Sequence, residues 1–113
     1  MFRFAPLAAA SCLLLAAGVA SAKPTVDAQL LKRGRAIAQH NCGRCHAVGA
    51  HGESANPKSP PFRLLARKYP LSNLEEALAE GIVVGHEGLE MPQFRLSAAQ
   101  IDALLAYLAS IQK

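Results

Sequence analysis

Cys42-Gly43-Arg44-Cys45-His46 constrains this chain more than any other stretch. Two thiols separated by two residues, with an imidazole directly after the second, serve three chemistries, and each demands a different fold around them. A thioredoxin-type dithiol needs strands alternating with helices, and the sequence shows no such alternation. A structural zinc site would take Cys42, Cys45 and two of His40, His46, His51 and His86, but no second Cys-x-x-Cys completes it. The third chemistry is covalent haem attachment. Each thiol adds to one of the two vinyl groups on a haem edge, and His46, the next side chain, is then held under the iron as its proximal ligand.

The first 22 residues read as a separate element. Arg3 supplies a positive start, residues 5 to about 20 are apolar and rich in Ala and Leu, and Ala20-Ser21-Ala22 is a small-residue cleavage signal. A secretory signal peptide is expected over 1–22. The apolar run is shorter than the ~20 residues of a spanning helix, which disfavours an uncleaved anchor. Cys12 lies inside that run, and Ala9-Ala10-Ser11 before it is a poor match to a lipoprotein signal. The expected domain is 23–113, with Cys42 and Cys45 as its only cysteines. In an oxidising compartment such a pair would ordinarily form a disulfide, and a haem that consumes both thiols gives the same even count.

Charge excludes one class of partner. The whole chain carries +4 and Arg3 is the only charged residue before position 23, so the domain carries +3. That is too little for nucleic acid, and no basic patch interleaved with aromatics is present. No further transmembrane segment, internal repeat or low-complexity region follows the signal. A domain this short also has a small core of its own, which a buried porphyrin would enlarge.

Taken in order, residues 27 to about 41 have the period of a helix, with Leu30, Leu31, Ile37 and Ala38 towards one face and Asp27 as N-cap. Gly34 inside it costs roughly 1 kcal/mol relative to Ala, which points to close approach by a second helix. Residues 47–61 hold Gly49, Gly52, Pro57, Pro60 and Pro61 without apolar period and read as a loop. A short helix is expected over 61–69, with Phe62, Leu65, Ala66 and Tyr69 on one side and Pro70 as its stop. Ser72-Asn73-Leu74-Glu75 reads as a capping box opening a helix that ends near Gly81. Residues 82–84 are apolar but have no partner strand, and are expected to lead into a loop. Ser97-x-x-Gln100 is a second capping box, followed by Ile101, Leu104, Leu105, Leu108 and Ile111 at helical spacing. The expected fold class is all-α with long connections.

A haem iron held by one histidine has a sixth position, whose occupant separates electron transfer from small-molecule chemistry. After removal of the signal, Met91 is the sole methionine. It lies in an expected loop rather than on an apolar helix face, and Pro92 favours an extended backbone at Met91. Met91 is the expected sixth ligand, with His86 and an open position as alternatives. A thioether favours ferrous over ferric iron, so a His/Met pair has a higher potential than two histidines.

These residues together resemble the class I c-type cytochromes over about 27–112. The resemblance rests on Cys42-x-x-Cys45-His46, Met91-Pro92, Gly34 eight residues before the first cysteine, and Tyr107 in the last helix. It implies a cytochrome c fold, with N- and C-terminal helices crossing at Gly34, and short helices and loops wrapping one haem c bound through Cys42 and Cys45. It also implies a proline carbonyl that accepts a hydrogen bond from the proximal histidine. Pro60 is the expected match and Pro61 the alternative. Two departures are the additional His51 and the missing aromatic near Ile37 and Ala38.

The function expected from this resemblance is that of a periplasmic, monomeric, non-enzymatic electron carrier. It would pass single electrons from a membrane complex or dehydrogenase to an oxidase or reductase. Lys32, Arg33, Lys58, Arg63, Arg67 and Lys68 either form a basic rim that steers it to acidic partners or are simply solvated charges. The competing expectations are a haem subunit of a dehydrogenase complex, a peroxidase or gas-binding protein should Met91 dissociate, and a zinc or dithiol module without haem.

Overall fold

The computed structural model describes residues 1, 17–20, 27–81, 85–86 and 89–113, with the backbone alone at 85, 86, 89 and 90. Most of the expected export signal, Cys12 included, lies outside the described residues, as does the apolar run 82–84. The elements run α1 (Ala28–Cys42), a 3₁₀ helix (Phe62–Arg67), α2 (Asn73–Glu80), β1 (Gly85–His86), β2 (Leu89–Glu90) and α3 (Ala98–Ile111). Helices carry the domain, and the all-α class stands.

α1 begins where its cap predicts, since the Asp27 carboxylate accepts the Gln29 N–H at 2.9 Å. It buries Gly34, Ile37 and Ala38 against α3. At the crossing, a Cβ on Gly34 would lie 2.6 Å from Tyr107 Cβ and 2.7 Å from the carbonyl carbon of Ala103, and would collide with the Ala103 carbonyl oxygen. Only a residue without a side chain lets the two backbones meet here. Ala103, fully buried, is the matching small residue on α3. Ile37, Ala38, Leu104, Tyr107 and Leu108 extend the core away from this point, and Phe62 and Leu65 of the 3₁₀ helix close it.

The helix expected over 61–69 is a 3₁₀ helix, and this rotates its faces. At three residues per turn, Phe62 and Leu65 share one side and are buried. Ala66, which belongs with Phe62 only at α-helical spacing, turns out to solvent. Tyr69 is 38% exposed.

The two capping motifs behave differently. At Ser97 the backbone is extended, the hydroxyl accepts from Gln100 N, and the Gln100 side chain accepts from Ser97 N at 2.8 Å. At Ser72 the backbone is already helical (φ −58°, ψ −29°) and the side chain makes no cap bond. The turn leading in from Pro70 extends the helical path back past Ser72, which leaves its hydroxyl unable to fold over the first turn. Gly81 ends α2 at φ 88°, a left-handed conformation that suits glycine. We expect Ser97→Ala to cost about 1 kcal/mol in urea unfolding and Ser72→Ala to stay within about 0.5 kcal/mol. Equal losses would contradict this difference in caps.

The reading of 82–84 lies outside the described residues, and within the loop expected after it the chain pairs with itself. Gly85 is opposite Glu90 and His86 opposite Leu89 in a two-residue antiparallel ladder. This hairpin brings the chain back immediately before Met91. The long loop after His46 is pinned from outside. Alternate carbonyls at Val48, Ala50 and Gly52 accept from the Tyr107 hydroxyl (2.6 Å), the Lys113 ammonium (2.8 Å) and the Arg63 guanidinium (2.6 Å).

Candidate cofactor site

Cys42 is the last residue of α1, and the chain turns directly after it. Its carbonyl accepts from both Cys45 N (3.3 Å) and His46 N (3.0 Å), which folds the motif back beside the helix end. Cys42 and Cys45 are free thiols. Burial pushes the Cys42 thiol from its ordinary 9.0 up to about 11. A reactive dithiol nucleophile has the opposite shift, towards a stable thiolate, and among the described residues helices rather than alternating strands and helices surround the motif. Among the described residues no three His, Cys, Asp or Glu side chains gather to hold a metal ion.

His46 is held by its outer nitrogen. Nδ1 lies 2.8 Å from the Pro60 carbonyl, which makes Pro60 rather than Pro61 the partner. A carbonyl can only accept, so Nδ1 carries the proton and Nε2 keeps its lone pair for another atom. The Phe62 ring packs on the imidazole at 4.8 Å between centroids, tilted 38°. Phe62 N donates to Ala47 O at 2.9 Å, and Asn56 N to Cys45 O at 3.1 Å, so the loop closes around the histidine.

Cys42, Cys45, His46 and Met91 all line one cavity of about 780 Å³. Its walls are apolar, built from Ile37 of α1, Leu65 of the 3₁₀ helix, Leu74 and Leu78 of α2, and Leu104 and Leu108 of α3. Residues 91–97 close it as an extended segment in which Phe94 and Leu96 alternate towards the cavity and Gln93 and Arg95 away from it. Met91 is half-buried at the start of this segment. The volume lies in the range of ~300–1,000 Å³ common to small-molecule sites. A second depression, between α2 and α3, holds about 180 Å³ and shares Leu96 with the first, but none of Cys42, Cys45, His46 and Met91.

Sequence reasoning missed Arg44 as a lining residue and had Lys58 and Lys68 only as rim charges. Arg44 sits inside the motif, between the two cysteines, and reaches the cavity with Lys58 and Lys68. Tyr69 owes its exposure in part to the same space. Two of the expected rim charges also tie the fold: Arg63 donates to Gly52 O at 2.6 Å and Arg67 to Lys113 O at 3.0 Å. His86 lies in β1, and its side chain is outside the description.

A flat apolar cofactor with two reactive vinyl groups and an iron fits what these residues offer: an apolar slot, two thiols at one edge, and an imidazole with its lone pair fixed. That is the site of a small helical haem protein. The family model described as Cytochrome c matches residues 31–112, and the chain belongs to that family. Its members bind haem c through cysteine and serve haem-based electron transfer. No curated protein and no solved structure matches the chain.

Proposed function

We propose that this protein is a periplasmic monohaem electron carrier, exported by the signal over 1–22. Haem c would be joined through Cys42 and Cys45, with His46 nitrogen and Met91 sulfur available to hold its iron. The observation that carries this reading is the convergence of Cys42, Cys45, His46 and Met91 on a single apolar cavity. When bound, the haem supplies a one-electron couple at its iron. Pro60 fixes the His46 tautomer through the 2.8 Å bond to Nδ1, which raises the basicity of Nε2. The apolar walls exclude water, and Met91 supplies a soft neutral donor that favours the reduced state. Arg44, Lys58 and Lys68 place positive charge on the cavity lining, where carboxylates of the cofactor would be balanced.

The partners in this reading are a membrane complex or dehydrogenase as donor and an oxidase or reductase as acceptor. No helix among the described residues is long and apolar enough to cross a membrane. The test is the visible spectrum of the protein matured with covalent haem. We expect the weak long-wavelength sulfur-to-iron band in the ferric form, and its loss in Met91→Ala. Haem bands without the sulfur band, together with rapid CO binding by the ferrous protein, would replace the carrier with a ligand-binding haem protein.

A further inference from the structure

The end of the chain is tied to the segment that holds His46. Gln112, just beyond α3, uses both ends of its amide: Nε2 donates to Phe62 O and Leu108 O, each at 2.8 Å, and Oε1 accepts from Ala66 N at 2.8 Å. The amide cannot be reversed, because its oxygen would then face two carbonyls and its NH₂ an N–H. Phe62 is in turn tied to the histidine in three ways. Its ring packs on the imidazole, its N–H holds the Ala47 carbonyl next to His46, and Pro60, two positions earlier, accepts from Nδ1. Lys113 N donates to Arg63 O at 3.0 Å and adds a parallel tie.

We propose that Gln112 is a positioning residue for the His46 imidazole, setting the Nδ1 to Pro60 hydrogen bond by fixing the carbonyl of Phe62. This rests on His46 as the proximal ligand. A shorter Nδ1–H bond to carbonyl moves electron density to Nε2 and stabilises ferric iron, so loosening it raises the reduction potential. The competing role is a plain helix cap, in which Gln112 serves only Leu108 O and stability.

Three holoprotein variants separate the two roles. Gln112→Glu removes both donors and sets a carboxylate against two carbonyls. Gln112→Met keeps length without polar atoms and carries the test if the glutamate variant does not fold. Ser97→Ala weakens α3 at its other end without touching the 3₁₀ helix. Potential is read by spectroelectrochemical titration, and the Nδ1–H bond by proton exchange of His46 in the ferrous protein. We expect a higher potential and Nδ1–H exchange about fivefold faster in the Gln112 variants, the factor that one hydrogen bond's net worth corresponds to. Ser97→Ala should match wild type in both. Gln112 variants that are less stable but unchanged in potential and exchange would overturn the proposal. A wild-type ferric spectrum without the sulfur band would count against Met91 as ligand, and the His46 exchange rates would still decide the role of Gln112.

Discussion

Replacing Cys42 and Cys45 together with alanine is expected to yield, without added haem, a chain that does not unfold cooperatively. The reason is the size of the cavity against the size of the core. A dry void costs about 24 cal/mol per Å³, which for about 780 Å³ is on the order of 20 kcal/mol. A whole domain has only about 5–15 kcal/mol of stability. Water entering the mouth lowers that figure, but it then wets leucines from the 3₁₀ helix, α2 and α3 at once. Far-UV circular dichroism during urea titration reads the outcome. Low helix content and a flat titration are expected, with helix partly regained when free haem is supplied and held by His46 and Met91. A sharp transition with native helix content in the haem-free variant would mean that the cavity walls stand without a cofactor, and would remove the structural argument for one.

Gly34→Ala is the second large effect. Ala is the better helix former by roughly 1 kcal/mol, and on propensity alone the change would stabilise α1. The crossing reverses the sign. The new Cβ meets the backbone of Ala103 and Tyr107 Cβ at 2.6–2.7 Å, and neither can rotate aside. α1 and α3 must separate, and every contact along their interface loosens, for an expected loss of about 3 kcal/mol or more. Gly49→Ala is the matched control, since its Cβ would meet only His51 O, at 3.9 Å. It should be neutral or slightly stabilising through the unfolded chain. Denaturation midpoints at equal m-value compare the two, and a Gly34 variant as mild as the Gly49 one would show that the helices do not cross here.

The parts that were legible in the sequence are those whose cause is local. Asp27 and Ser97 cap their helices because the hydroxyl or carboxylate and the amide it accepts from lie within three residues. The Cys-x-x-Cys-His spacing places two thiols and an imidazole at one helix end whatever the remainder does. Gly34 signalled a close approach by its cost, and Pro60 was legible only through resemblance. The misreadings have one physical origin. Ser72 carries the same motif as Ser97, but the turn from Pro70 sets its backbone helical and the motif goes unused. Ala66 faces solvent because residues 62–67 wind as a 3₁₀ helix, a tightening that apolar spacing does not reveal. That Arg63 and Arg67 also donate to the Gly52 and Lys113 carbonyls could not be read from the sequence, because a backbone carbonyl has no sequence signature.

The sequence by itself determined that this chain would be helical, would carry a Cys-x-x-Cys-His motif, and would have Met91 as its one methionine beyond position 1. Those follow from period, spacing and count, which need no partner. The tertiary structure decided which carbonyl accepts the His46 Nδ1–H bond, that Met91 shares a cavity with both cysteines, and that Gln112 reaches the segment holding the histidine. Each of those joins residues 14 to 50 positions apart, and contacts at that range are set by how the helices pack, not by any pattern within one of them.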